Sequence, residues 1–400
     1  MQRQVIAIFA SAFYPHIGGV EEVVRQVGKE YLRRGMGVVV ITNRWPRALP
    51  VHGELDGIPV YRIALRTPER SVKARVSYAL THLLIQRQVL GVLRKHRCNL
   101  LHVHCVSSNG YYALLAKNAL GLPLVVTTHG ERTMDATQIY QHSPFLNKVL
   151  RELITVADHI TACSRQTLDD LQQYWGRPFG TRGSVVYSGV APGDFSDASP
   201  YKCERPYILA MGRLVRQKGF DLLIEAFAKA GLDVDLLIGG EGPERNSLEN
   251  MIRELELTNR VRLIGRADRS HAVALFAGCR FFVMASRQEP MGIVNLEAMA
   301  VGKAVVAPRV DGVPEIVLHE ETGLLVPCGN VDAFTSALVR LNSDSELRER
   351  LGAAGKLRVK NFDWSEIAEQ YLDIYERVFE KNGRYGENEC AGNSRGTVLL

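Results

Sequence analysis

Tyr207-Ile208-Leu209-Ala210-Met211-Gly212-Arg213-Leu214-Val215-Arg216-Gln217-Lys218-Gly219 reads as a short apolar strand that runs through a cationic turn into a helix near 219–230. Downstream the unit repeats. Strands read at Asp235–Ile238, Val261–Ile264, Phe281–Met284, Ala304–Ala307 and Leu324–Val326, with helices near 243–255, 269–277, 292–301 and 313–318. Upstream lies a Gly/Pro/Asp/Ser-rich interruption, Ser188–Pro200, and before it the same rhythm has already run once. There the strands are Val5–Ala10, Val38–Thr42, Val60–Ile63, Leu100–His104, Leu124–Thr128, His159–Cys163 and Ser184–Tyr187. Helices fit at Gly19–Arg34, roughly Val72–Arg97, Phe145–Ala157 and Arg165–Tyr174. Such alternation implies right-handed βαβ units and parallel sheets covered on both faces. The predicted organisation is α/β, with doubly wound domains over 1–190 and 205–360 and a hinge near 188–205. Beyond Pro327 the pattern is helical, through about Asn330–Leu341, Glu346–Lys360 and Ser365–Lys381. Residues 382–400, with four glycines, read as a flexible tail.

Composition narrows the class. The 400 residues are 46% hydrophobic and 23% charged, as in a soluble globular chain. No apolar run nears the roughly 20 residues that span a bilayer, and Val5–Ala10 is too short and too poorly flanked for a secretory signal. Seven scattered cysteines without a C-x-x-C pair suit reduced thiols better than a disulfide frame or a zinc site. The expected location is therefore cytoplasmic, either free or peripheral on the inner face of a membrane. Residues 1–190 hold 23 Lys+Arg against 12 Asp+Glu, and residues 191–400 hold 26 against 31. A front half of net +11 faces phosphates, acidic lipids or nucleic acid, or is simply a solvated basic surface.

In open α/β sheets ligands sit beyond the carboxyl ends of strands, so the loops that follow strands carry the candidates. Tyr14-Pro15-His16-Ile17-Gly18-Gly19 follows the first strand. Its paired glycines either let the backbone approach an anion at a helix N-terminus or form a plain turn. Arg213 and Lys218, five residues apart, are placed to converge on a diphosphate, or are ordinary surface cations. Ser286 through Ala300 brackets a helix start with Glu289 and Glu297. The amides of Met291–Val294 attract an anion there, while the two carboxylates accept hydrogen bonds from ligand hydroxyls. The plain alternatives are a helix-flanking acid and a solvated one. His129, in Thr128-His129-Gly130, stands at a sheet's carboxyl edge, for an active cleft or as a structural histidine. Asp233-Val234-Asp235 resembles a metal-holding D-x-D but lies at a strand's amino end, and no acid or cysteine completes a ligand set for His102 and His104. No metal site is expected.

Taken together these loops resemble the glycogen synthase-like family of retaining glycosyltransferases, glycosyltransferase family four, over about residues 5–380. The resemblance rests on Gly18-Gly19, Gly212-Arg213-Leu214 through Lys218-Gly219, Gly240-Glu241-Gly242-Pro243-Glu244, and Glu289 through Glu297. Ser188-Gly189-Val190 and Gly312-Val313-Pro314-Glu315 are lesser matches. It implies the GT-B fold: two Rossmann-like domains facing a central cleft, the first for acceptor and the second for nucleotide sugar. A terminal helix, 361–381, would cross back to the first domain. It further implies that Gly18 and Gly19 meet the donor phosphates and that Arg213 and Lys218 neutralise the diphosphate. Glu297 would bind ribose, Glu289 a sugar hydroxyl, and the backbone of Met291, Gly292, Ile293 and Val294 sugar and phosphate. Arg266 would lie beside the base and His129 near the reacting face.

The activity implied is metal-independent transfer of a hexose or related sugar, with retention and without a cofactor. The donor would be a nucleoside-diphosphate sugar, most simply a UDP-sugar. The acceptor would be a glycan, a lipid-linked molecule or a small molecule; a nucleic acid is not expected. A nucleotide-sugar epimerase and a non-catalytic nucleotide-sugar-binding protein are the competing readings, and the missing G-x-G-x-x-G counts against a nicotinamide enzyme. One segment stands outside this scheme. Arg66, Arg70, Lys73 and Arg75 precede the apolar stretch Tyr78–Ile85, and Arg94, Lys95 and Arg97 follow it. It either rests on an anionic membrane surface or covers the sheet as a solvated helix.

Overall fold

Val5–Ala10 is apolar at every position, and Ile6 through Ala10 are wholly buried, because the strand lies inside a parallel sheet covered on both faces. The computed structural model describes residues 4–16, 18–68, 72–134, 139–195 and 199–392. Ile17, Arg70, residues 135–138 of the loop Arg132–Ser143 and the tail residues 393–400 lie outside the described residues.

The first domain runs β1 (Val5–Ala10), α1 (Gly19–Arg33), β2 (Gly37–Asn43), β3 (His52–Leu55), β4 (Ile58–Ile63), α2 (Val72–Lys95), β5 (Leu100–His104), α3 (Ser108–Leu120), β6 (Leu124–Thr128), α4 (Ile139–His142), α5 (Pro144–Val156), β7 (His159–Ala162), α6 (Arg165–Trp175) and β8 (Gly183–Val185). The second runs β9 (Tyr207–Met211), α7 (Phe220–Ala230), β10 (Asp235–Gly239), α8 (Arg245–Glu254), β11 (Val261–Gly265), α9 (Arg269–Gly278), β12 (Phe282–Val283), α10 (Ile293–Ala300), β13 (Val305–Arg309), α11 (Val313–Ile316), β14 (Gly323–Pro327), α12 (Val331–Ser343) and α13 (Ser345–Arg358), and α14 (Trp364–Gly392) closes the chain. The sheet orders are β3-β4-β2-β1-β5-β6-β7-β8 and β11-β10-β9-β12-β13-β14. Both change winding direction beside their first strand, so the loops after β1 and β9 stand at the switch points.

Strand alternation divides each domain's core into two layers. Ala7 and Phe9 face Val89, Leu93, Tyr112 and Leu153. Ile6 and Ile8 face Val23, Val24 and Val27 of α1, and also Trp364, Ile367, Tyr371, Ile374, Tyr375 and Val378 of α14. The last set recurs every three or four residues, one apolar stripe of a helix. The terminal helix therefore crosses back and completes the first domain's core. The outward chain lies against this return, since the Val190 amide donates to the Phe362 carbonyl at 2.8 Å.

Beside the one-turn helix α4, three elements differ from the sequence reading. Within the loop between β2 and β4, β3 pairs antiparallel with β4. Asp56 and Gly57, both at positive φ (51° and 79°), form its two-residue turn. Helix α3 was not anticipated because its Tyr112, Ala113, Leu114 and Ala116 are buried along with Asn109 and Gly110, leaving little polar face to set a period. The expected tail from 382 continues instead as helix to Gly392. Helix α2 divides its apolar residues between two sides. Ile85, Val89, Val92 and Leu93 pack on the sheet, whereas Val72, Val76, Leu80, Leu83 and Leu84 are exposed on the opposite side, Leu80 at 74%. Among the described residues no helix is long and apolar enough to cross a membrane.

Candidate active site

The loops after β1, β6, β9 and β12 meet between the domains. They line a cavity of about 350 Å³ with Gly18, Gly19, Val20, His129, Cys163, Ser188, Gly212, Arg213, Lys218 and the run Glu289 through Val294. A second cavity, about 390 Å³, shares Gly18, Gly19, His129, Arg213, Lys218 and Glu289, and reaches on to Ser11, Ser107 and Gln217.

Local chemistry explains how the second domain presents its groups. Gly292 sits at φ 86°, and a Cβ there would fall 2.8 Å from the Met284 methyl and 2.9 Å from Asn295 Nδ2. Only glycine takes this corner, and α10 starts directly after it. Ile293 and Val294, the first residues of α10, line the cavity, and the first amides of a helix have no acceptor four residues back. The Glu289 residue is 7% exposed. Its carboxylate accepts from Lys218 Nζ at 2.5 Å and from Ser286 Oγ at 3.1 Å, while its amide donates to Asp311 Oδ2 at 2.7 Å. Arg213 makes no side-chain hydrogen bond or ion pair among the described residues. Its guanidinium, a donor fork with no hydrogen-bond partner among the described residues, lines both cavities and draws at longer range on the buried Glu21 carboxylate.

The first domain contributes His129. Its Nε2 lies 3.1 Å from His104 Nδ1, and His104 Nε2 lies 3.3 Å from His102 Nδ1. His102 Nδ1 is also 2.6 Å from the Tyr375 hydroxyl, and its Nε2 is 2.7 Å from Thr127 Oγ1. Histidines two apart on β5 share a face, and His102 and His104 are both fully buried on it. Burial holds all three rings neutral. It lowers His129 to about 4 and His102 to about 3, and His104 lies well below its ordinary value. The folded state therefore binds fewer protons than the unfolded chain once pH drops below the ordinary histidine value of about 6.5. Stability is expected to be flat above that pH and to fall between 6.5 and 4, by about 1.4 kcal/mol per pH unit for each of the fully buried His102 and His104. Urea unfolding at stepped pH measures this, and a curve with no slope in that window refutes it.

The domains also touch directly. A Cβ on Gly130 would lie 2.7 Å from Pro290 Cγ. Gln217 Nε2 donates to the Met134 carbonyl at 2.6 Å. Glu315 accepts from the Arg165 and Gln166 amides at the start of α6, at 2.9 and 3.2 Å, and from the Tyr187 hydroxyl at 3.0 Å. This is a carboxylate of one domain capping a helix of the other.

Two expected residues stand apart from the cavities. Glu297 pairs with Arg269, which also reaches Asp194 at 3.3 Å, and burial raises its carboxyl against the pull of that arginine. Arg266 is exposed past the end of β11. Asp235 of the D-x-D lies at the amino end of β10 beside Arg260 and Arg262, at 3.6 and 3.4 Å, away from the cleft as expected. Sequence reasoning missed Glu131, whose buried carboxylate accepts from the Val106 and His129 amides and from Thr128 Oγ1, and so fixes the loop that carries His129. It also gave no role to Glu315. A glutamate two residues after His129 was the available signal for the former; for the latter only the lesser Gly-Val-Pro-Glu match was.

Residues 17–193 match the family described as Glycosyltransferase Family 4, and residues 194–358 match Glycosyl transferases group 1. The chain is 27% identical to N-acetyl-alpha-D-glucosaminyl L-malate synthase of Bacillus anthracis, over 93% of this chain and 97% of that protein. It is 30% identical to alpha-maltose-1-phosphate synthase of Mycolicibacterium smegmatis, over 66% and 75%. Among solved structures, sucrose-phosphate synthase from Thermosynechococcus elongatus superposes with a TM-score of 0.80 at 24% identity, over 95% of this chain and all of that one. Anabaena HepE in complex with UDP and glucose superposes with 0.76 at 20%, over 94% and 100%.

Proposed function

The chain belongs to glycosyltransferase family 4, the group 1 glycosyl transferases, with the two-domain GT-B fold, and from that premise we propose how it transfers sugar. The donor is a nucleoside-diphosphate sugar, a UDP-sugar first, and its diphosphate lies between Arg213, Lys218 and the amino end of α10. The observation that carries this is the convergence on one cavity of a guanidinium, an ammonium, the start of a helix and the Gly18–Gly19 backbone. These groups supply positive charge where a departing diphosphate needs it. Fixed cations in that place make a metal unnecessary.

As the glycosidic bond breaks, negative charge grows on the β-phosphate and positive character on the anomeric carbon. Arg213 and Lys218 stabilise the first. The acceptor hydroxyl attacks from the same face with retention, and the leaving phosphate helps take its proton. A neutral His129 borders the sugar, and the Gly130–Pro290 approach keeps water from the reacting carbon. Glu297 turns from Arg269 to the ribose, and Arg266 lies beside the base. The test is a screen of UDP, GDP and ADP sugars by thermal shift, followed by an acceptor panel that resolves product anomers. A UDP-sugar is expected to raise the melting temperature most and to give a retained product. Stabilisation by none, or an inverted product, refutes the corresponding part.

The exposed apolar side chains of α2, with Arg87 among them and Lys73 at the first turn, favour a cytoplasmic protein that rests on an anionic membrane. Vesicles containing phosphatidylglycerol are expected to float the protein, and Leu80→Glu with Leu84→Glu to abolish flotation. Equal recovery with neutral vesicles removes the idea.

A further inference from the structure

The donor cavity is not the end of the cleft. Ser11 and Ser107 line the second cavity described above and also a third, of about 530 Å³, inside the first domain. Four cations stand around this third cavity: Arg44, Arg47, Arg66 and Lys73. Among the described residues no carboxylate lines it, and none of the four forms an ion pair with one. Like charges gathered in one place repel one another, so such a cavity favours an anionic guest.

The arrangement is held in place. The Arg44 amide donates to the Ile63 carbonyl at 2.9 Å, and the Leu65 amide donates to Asn43 Oδ1 at 3.2 Å, so the ends of β2 and β4 carry Arg44 and Arg66 out together. Arg44 Nε donates to the Leu49 carbonyl at 2.7 Å, which leaves the rest of its fork for a ligand. The Arg66 carbonyl accepts from the Tyr112 hydroxyl at 2.8 Å. Exposed Trp45 and the Leu146 side chain add apolar walls.

We propose that this cavity is the acceptor subsite and that the acceptor carries an oxyanion, a carboxylate or a phosphate, remote from its attacking hydroxyl. The inference rests on the transfer reading above and names the acceptor's chemical class. The oxyanion stays unmodified. The acceptor hydroxyl oxygen forms the new bond to the anomeric carbon, the bond to the diphosphate oxygen breaks and takes its electron pair, and the hydroxyl proton passes to that phosphate. Arg44 and Arg66 bind the oxyanion bidentately, which sets how far the hydroxyl reaches toward His129.

Trp45 reports on the site directly. Glycerol 3-phosphate and succinate, titrated with UDP present, are expected to change Trp45 fluorescence saturably, and Trp45→Phe to lose the signal. Arg44→Ala and Arg66→Ala are expected to weaken binding about tenfold or more, whereas Arg253→Ala, on an exposed helix face of the second domain, leaves it unchanged. Arg47→Ala and Lys73→Ala, on exposed side chains, give the same reading should the first pair fail to fold. Glycerol binding as tightly as glycerol 3-phosphate, or no loss in any of the four variants, overturns the proposal. Vesicles of phosphatidic acid run beside the soluble probes separate a lipid headgroup from a free anion, and binding in either arm that the arginine variants abolish supports it. Anion binding without sugar transfer would refute the proposed reaction and not this subsite. Donor turnover without anion binding would do the reverse.

Discussion

Arg213→Ala is expected to lower kcat/KM by about 10²–10³ while leaving thermal stability unchanged. The two halves of that statement have separate grounds. Arg213 makes no side-chain hydrogen bond or ion pair among the described residues, so removing its guanidinium breaks no contact and loses only a longer-range pull on the buried Glu21 carboxylate. Its proposed work is on charge that develops only as the diphosphate leaves, and a group acting there is lost from kcat rather than from ground-state binding. Lys218→Ala should behave differently. It leaves the Glu289 carboxylate, on a residue only 7% exposed, without its cation, at a cost of about 1–3 kcal/mol of stability beside the lost turnover. Turnover in both variants equal to wild type, read alongside melting curves, would end the assignment of the phosphate site.

How far the sequence could be read follows the range of the forces involved. Parallel strands buried on both faces are apolar runs, so Tyr207–Met211 was legible as a strand to the residue. Loops that follow such strands are legible for the same reason, and Gly19, His129, Arg213, Lys218 and Glu289 line one cavity. The β3–β4 hairpin announced itself as Asp56-Gly57, a two-residue turn signal that the loop's mixed composition obscured. Helix α3 carried no such mark, because packing on several sides leaves no polar stripe to count. Long-range partners were beyond reach. His102 meets Tyr375 across 273 positions, and Glu315 caps α6 across 150. The cationic cavity is a further case: Arg44 and Arg66 are 22 residues apart in the chain, and only the β2–β4 pairing sets them side by side.

Glu289 tests whether the two strongest contacts of the site act as one unit. The resemblance assigns its carboxylate to a sugar hydroxyl, yet without a donor that carboxylate holds Lys218 Nζ at 2.5 Å. An ammonium carries three donors, so Lys218 can keep Glu289 and still reach a phosphate. Glu289→Gln preserves shape and the Ser286 contact but removes the charge that aims the lysine. Its expected cost is about 10- to 100-fold in kcat/KM, the worth of one charge-assisted hydrogen bond. If aiming Lys218 is most of its work, the double variant with Lys218→Ala should be no worse than Lys218→Ala alone, because the second change removes nothing the first had left. Losses that multiply would mean that Glu289 acts on the sugar independently. A donor lacking the contacted hydroxyl decides between them, since wild type would then lose as much as Glu289→Gln does. In either outcome a neutral residue at position 289 should separate binding from turnover more sharply than any change at the cleft's rim.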